Sequence, residues 1–275
     1  MSIRRISDIA FHIFCYLCLA IGVGFLAYIL ITLAMRGLPA FFNYAVFTQN
    51  TPPPGSGGGL KNAIVGTLII TGLGMAIAAP IGIMIATYMV EFKGRGRLAN
   101  AVRFFNDVLL STPSILLGLF AYTLVVTTMG HFSAIAGSVA LAFIAIPMVV
   151  RTTEGVLQLI PPQVREAAVA LGLPRWQVTV QIIWRAAAGG IITAILLATA
   201  RITGETAPLL FTALSSNFFS WDIAQPMANL PVVMFNYAMS PYKNWQDLAW
   251  AAAFLITVSI LGMSIVARMI VRERR

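Results

Sequence analysis

Six apolar stretches, each long enough to cross a bilayer as a helix, dominate this sequence. They cover residues 9–35, 62–90, 105–129, 132–150, 187–213 and 248–270. A spanning helix needs about 20 apolar residues, and lipid gives its backbone no hydrogen-bond partner outside the helix itself. Composition agrees, with 59% of the 275 residues hydrophobic and 10% charged, where soluble domains carry about 25% charged residues. So few charges cannot clothe a water-exposed globule. We therefore expect an all-α integral membrane protein with six transmembrane helices, and exclude soluble enzymes, nucleic-acid modules and disulfide-stapled secreted domains. The first stretch follows Arg4-Arg5 but far outruns the apolar core of a signal peptide, so it reads as a retained helix. Cys15 and Cys18 lie three apart within it, cannot bridge without breaking the helix, and read as packing residues.

Positive charge orients the chain. With the N-terminus inside, the inner segments hold Arg4 and Arg5; Lys93, Arg95, Arg97 and Arg103; Arg151, Arg165, Arg175 and Arg185; and Arg268, Arg272, Arg274 and Arg275. The outer segments hold only Arg36, Lys61 and Lys243. This asymmetry places both termini in the cytoplasm. It also explains the net charge of +9 without any nucleic acid.

Three connections carry information. The outer loop 37–61 contains Thr51-Pro52-Pro53-Pro54 followed by a glycine-rich run, which reads as a stiff and then flexible linker. It lacks the Gly-Lys-Ser/Thr of a phosphate-cradling loop, so no ATP site is expected here. The outer loop 214–247 holds Trp221, Tyr237, Tyr242 and Trp245, with Trp250 just beyond, rings that favour the headgroup level. Its apolar middle, 227–239, is short and interrupted by Pro231, and reads as an interfacial or re-entrant segment. The inner loop 151–185 is the most telling. Pro161-Pro162 starts a helix there, Val164, Ala168 and Leu171 share one face, and Gly172-Leu173-Pro174 ends it. A second helix begins near Arg175 and runs into the fifth span. Such a helix–turn–helix either docks a cytoplasmic partner or lies on the headgroups.

Ionisable residues in the spans are few. Arg201 and Glu205 sit four apart on one helix face, with Gly204 and Pro208 inviting a kink. An arginine at that depth must face protein or water. Its planar fork matches phosphate oxygens, with Glu205 steadying it, or else the two form a structural pair. Thr203 and Thr206 either line the same path or bond their own helix carbonyls. In the third span Asn106-Asp107 opens the helix, Asp107 reading as an N-cap. Ser111-Thr112-Pro113-Ser114 then breaks it, neighbouring hydroxyls satisfying the carbonyl of Leu109, at a point fit to line a path. His12 and His131 stand alone, so no metal site is expected, and no nucleophilic triad is present.

Glu166-Ala167-Ala168, three residues, Gly172, nine residues and Ile182 resemble the EAA loop of bacterial ABC-importer permeases. The Leu-Pro that usually ends that motif is replaced by Trp184-Arg185. The run Arg201-Ile202-Thr203-Gly204-Glu205-Thr206-Ala207-Pro208 is more specific. With Gln225-Pro226-Met227-Ala228-Asn229-Leu230-Pro231 and Ala238-Met239-Ser240-Pro241, it resembles PstA-type permease subunits of the phosphate-specific ABC importer. The likeness covers the chain from about residue 61 onward. The first span and proline-rich loop, 1–61, are only generically similar, and 62–275 forms the permease core with its EAA coupling loop at about 151–185. The resemblance implies a type I importer (MetI-like) permease fold in the bacterial inner membrane. It implies a non-catalytic subunit without cofactor, carrying phosphate through half of a pore. Its partners would be a homologous PstC-type permease, a PstB-type ATPase dimer and a PstS-type periplasmic phosphate-binding protein. Arg201, Glu205, Thr203, Thr206, Ser111 and Thr112 are then the expected translocation residues, and Glu166, Ala167, Ala168 and Gly172 the ATPase-coupling residues. A sulfate or molybdate permease is the nearer alternative, and the Arg201–Thr206 run argues against it. An ion-coupled secondary transporter would have only Glu205 and Asp107 as proton or sodium partners.

Overall fold

A computed structural model of the chain describes residues 3–92 and 96–272. Lys93, Arg95, Arg274 and Arg275, counted on the inner side above, lie outside the described residues. The described residues are helical with irregular connections and contain no strand. In chain order the helices are α1 (Ile3–Phe41), α2 (Tyr44–Thr48) and α3 (Lys61–Phe92, its last turn widened to a π-helical turn at Tyr88–Phe92). Next come α4 (Arg97–Ser111), α5 (Ser114–Met129), α6 (Ala134–Gln158) and α7 (Pro162–Ala170). The chain continues with α8 (Arg175–Thr203), α9 (Ala207–Leu210), α10 (Leu230–Ala238) and α11 (Lys243–Arg272).

Five of these helices, α1, α3, α6, α8 and α11, are long and apolar enough to cross a membrane alone. The expected third span is different. It is a broken pair, α4 and α5, whose axes differ by 105°. Proline at 113 cannot donate into the preceding turn, and Thr112 turns to an extended backbone at the break. The helix opens at Arg97, so Asp107 sits exposed inside α4 and is not an N-cap. The hydroxyls of Ser111 and Thr112 donate to the carbonyls of Asp107 and Val108, not to that of Leu109.

A second boundary also shifts. The fifth span starts at Arg175 and stops at Thr203, so Gly204 ends the helix where a kink was expected. Pro208 then sits in the first turn of α9, where a missing N–H costs nothing. Pro231 likewise starts α10, which Asn229 caps by accepting from the Val232 N–H. At nine residues, α10 is too short to span, as its sequence indicated.

Packing falls into three apolar clusters stacked along the bundle. The central one joins α3 and α6 through Ile70, Ala78, Leu141, Ala142 and Ala145, with Ala198 and Ile202 from α8. At the end remote from the 151–185 loop, Val46, Leu60, Leu230, Val233 and Leu248 form a cap. The proline–glycine stretch belongs to that cap and is not the flexible linker its composition implied. Asn62 accepts from the Thr51 N–H and donates to the Thr51 hydroxyl and the Ser216 carbonyl, while Tyr237 donates to the Pro52 carbonyl. Tyr237 and Trp245 stack face to face at 4.3 Å inside this cap, so neither serves as a headgroup anchor. Trp221 is exposed, in keeping with an interfacial ring. The third cluster, at the basic end, gathers Leu157, Ala168, Val178, Ile183 and Ala187 beneath α7.

Helix α1 stands apart. Its apolar residues from Ile9 to Ile31 are exposed, and it meets the bundle near its end, where Gly37 is buried close to Phe254. Arg36 lies over the Trp250 ring at 5.0 Å.

Candidate functional site

Two places gather the residues that the sequence singles out. The first is a cleft of about 300 Å³ at the elbow between α4 and α5. Thr112 and Ser114 bring polar atoms to it, Leu117, Ile144 and Met148 supply apolar wall, and Arg201 reaches it from the last turn of α8. A cation suits that last turn, where unpaired carbonyls carry the negative end of the helix dipole. Arg201 Nε meets Glu205 Oε1 at 3.2 Å. The two side chains differ sharply in exposure, 62% for Arg201 and 13% for Glu205. The carboxylate is thus sunk in protein and grips the inner nitrogen, while the fork of the guanidinium is presented to open space. Such a fork is able to bind an oxyanion through two parallel hydrogen bonds.

The other expected pathway residues scatter. Ser111 is exposed just before the break and does not line the cleft. Thr112 does line the cleft, its hydroxyl donating back to the carbonyl of Val108 at 2.7 Å. Thr203 is buried and donates to the carbonyl of Thr199, the i−4 bond expected of a structural threonine. Thr206 precedes α9 and accepts at its backbone carbonyl from Leu209 and Leu210. Ser114, the last residue of the run read as a path-lining break though not one of the expected translocation residues, joins the cleft.

The second place is α7. Gly172 adopts φ +83°, its N–H donating to the carbonyl of Val169 and the next N–H, of Leu173, to that of Ala168. These two bonds make a Schellman ending, and glycine is there because an L side chain is strained at that φ. Ala168 is the buried residue of the helix, whereas Val164 and Leu171, expected on the same face, are exposed. Glu166 and Ala167 are exposed as well. The apolar hold on α7 is therefore one methyl group, worth about 1 kcal/mol.

A polar hold supplements it. Arg165 donates from Nε and Nη2 to the carboxylate of Glu91 at 2.7–3.1 Å, and from Nη1 and Nη2 to the carbonyls of Ile160 and Leu157. Nearby, Arg103 of α4 pairs with Glu154 of α6 at 2.9 Å, and Gln158 donates to the same carboxylate. Both glutamates are nearly dry, with side chains 8% and 7% exposed. Sequence reasoning passed over these pairs. The signal was the rarity of acid: a chain with only nine Asp and Glu places two of them at helix ends among arginines.

Residues 78–275 match the family of binding-protein-dependent transport system inner membrane components. The chain belongs to that family. PstA-type members are among its relatives. The phosphate transport system permease protein PstA of Haemophilus influenzae is 50% identical over 94% of this chain and 92% of its own length. The Yersinia pestis PstA is 49% identical over 92% and 86%. PstA 1 of Mycobacterium tuberculosis is 37% identical over 78% and 70%. Among solved structures, a chain of a bacterial alginate ABC transporter, crystallised with a pentasaccharide-bound periplasmic protein, superimposes with a TM-score of 0.66 at 16% identity, covering 97% of this chain and 96% of that one. A chain of the MetNI methionine ABC transporter in an inward-facing conformation gives 0.58 at 17%, covering 76% and 93%. At such identities the likeness concerns the fold, and the fold is the MetI-like importer permease fold expected from the family resemblance. A PstA-type permease is a transport subunit rather than a catalytic one, and a multi-pass membrane protein.

Proposed function

We propose that this chain forms half of a phosphate pathway across the bacterial inner membrane, as the PstA-type permease of an ATP-driven importer. The observation that carries the reading is the Arg201 fork, held from behind by a sunken Glu205 and open to a cleft walled mostly by apolar side chains. An anion entering such a place loses water and needs a fixed counter-charge. Glu205 tempers that charge, so that phosphate binds and still leaves. Thr112 and Ser114 add polar atoms beside the path, and Thr203, Thr206 and Ser111 support the backbone around it. A PstC-type permease supplies the other half, a PstS-type binding protein delivers phosphate, and a PstB-type ATPase dimer seats on α7 around Glu166, Ala167 and Gly172. The test is uptake of labelled phosphate into vesicles holding the assembled transporter, with and without trapped ATP. Uptake that needs ATP and resists excess sulfate and molybdate is expected. Uptake that proceeds without ATP, or follows sulfate instead, overturns the reading.

The charge asymmetry and the fold support cytoplasmic termini, with α7 in the cytoplasm. In a background lacking Cys15 and Cys18, Gln163→Cys should stay unlabelled by an impermeant thiol reagent applied to intact cells, and Phe218→Cys should label promptly. The opposite pattern would invert the topology.

Gly172→Val is expected to loosen the end of α7. A β-branched residue held at positive φ costs roughly 1–2 kcal/mol, so the ATPase should co-purify about tenfold more weakly at unchanged membrane abundance. Full association would mean that the turn plays no part in docking.

A further inference from the structure

We propose that Arg165, clamped by Glu91, is the positioning residue through which movement of α7 reaches the membrane helices; the proposal rests on the permease reading above. Only Ala168 of α7 is buried, so apolar packing ties this helix weakly to the bundle. Arg165 supplies what packing does not. Its guanidinium holds both oxygens of Glu91 and also the carbonyls of Leu157 and Ile160. Leu157 lies in the last turn of α6 and Ile160 just beyond it, and such terminal carbonyls lack partners within their own helix. One side chain thus joins α7 to the ends of both α3 and α6. The planar fork gives the joint direction as well as strength, which a point charge would not.

Its placement suits transmission. Glu91 belongs to the π-helical turn that closes α3, and α3 packs against α6 through the central cluster. Helix α6 in turn presents Ile144 and Met148 to the Arg201 cleft. A push on α7 therefore has a route to the cleft wall, polar through Arg165 to the ends of α3 and α6 and then through their shared apolar core. The neighbouring residue does the opposite job. Glu166 is exposed and has no hydrogen bond or ion pair among the described residues, so it is free for a partner while Arg165 is committed inward. Adjacent residues on one helix divide reception from transmission.

The experiment uses the complete transporter in vesicles and reads phosphate moved per ATP hydrolysed, with bound ATPase quantified in the same sample. Arg165→Lys keeps the charge and loses the fork. The pair Glu91→Gln with Arg165→Gln removes both charges, so that no buried charge is stranded. Both are expected to lower the ratio about tenfold, the size typical of coupling between sites, with the ATPase still bound in wild-type amounts. A neutral pair that restores the wild-type ratio would show a merely structural ion pair and overturn the proposal. So would uptake and hydrolysis that fall in proportion. If the neutral pair does not assemble, Arg165→Lys decides alone, an unchanged ratio overturning the proposal. Failure of the phosphate reading shows separately, as wild-type vesicles that hydrolyse ATP without taking up phosphate.

Discussion

Arg201→Gln is expected to slow phosphate uptake about a hundredfold, the rate equivalent of about 3 kcal/mol at the barrier. Glutamine keeps an N–H donor on a shorter side chain but removes the charge that replaces the hydration of the anion. Arg201→Lys should fall between, since a point charge remains without the bidentate fork. The single variant has a second consequence that must be separated from the first. Glu205 is 13% exposed, so loss of its partner strands a largely buried carboxylate and destabilises the turn after α8. The variant carrying both Arg201→Gln and Glu205→Gln removes that penalty. If the pair merely ties the turn together, the double variant should recover near-normal flux. If Arg201 meets the anion, flux should stay about a hundredfold down while membrane abundance recovers. Uptake at matched abundance in the three variants distinguishes the two outcomes, and recovery in the double variant would end the pathway reading.

How much of this was legible beforehand differs from element to element, for physical reasons. The α7 turn could be read closely, because proline starts, glycine ends and the small residues between them act within a few positions of chain. Five spans followed from apolar length, and the helix running on from Arg175 followed from the Gly172-Leu173-Pro174 break before it. The elbow at Pro113 was legible as a break but not as a 105° turn. A run of apolar residues from 105 to 129 looks continuous, whereas Arg97, Arg103 and Asp107 make α4 amphipathic, and Arg103 finds Glu154 only in three dimensions. The Glu91–Arg165 clamp joins residues 74 positions apart, beyond the reach of any local pattern. The proline–glycine stretch misled in another way. Its composition describes a chain without internal hydrogen bonds, yet Asn62 and Tyr237 supply those bonds from outside. At the cleft, residue type identified the Arg201–Glu205 pair, but which member faces open space is a matter of burial and needed the fold.

Gly118 offers the sharpest test of how that cleft is built. It lies in α5, one residue after the cleft-lining Leu117, and a Cβ placed on it would come within 2.5 Å of the Cα of Pro208. The obstacle is backbone, so no side-chain rotation relieves it. Pro208 follows Glu205 and Thr206 closely in sequence, and α9 can retreat only by dragging that turn. Gly118→Ala should therefore cost about 1–3 kcal/mol of packing strain, against a gain of about 1 kcal/mol in helix propensity. Gly118→Val adds bulk that the contact cannot absorb, and it should leave little folded permease in the membrane. Gly72 in α3 provides the contrast, because nothing lies within 4 Å of its added Cβ. With no clash to offset it, Gly72→Ala should be neutral or slightly stabilising. Thermal midpoints of the solubilised complex and phosphate uptake should be measured together. The α5–α9 contact predicts that Gly118→Ala lowers uptake more than its loss of abundance explains, since Glu205 moves with α9 and takes the Arg201 fork out of line. Uptake that merely tracks abundance in Gly118→Ala would show that the contact fixes stability alone, and that the turn holding Glu205 is positioned by something other than α5.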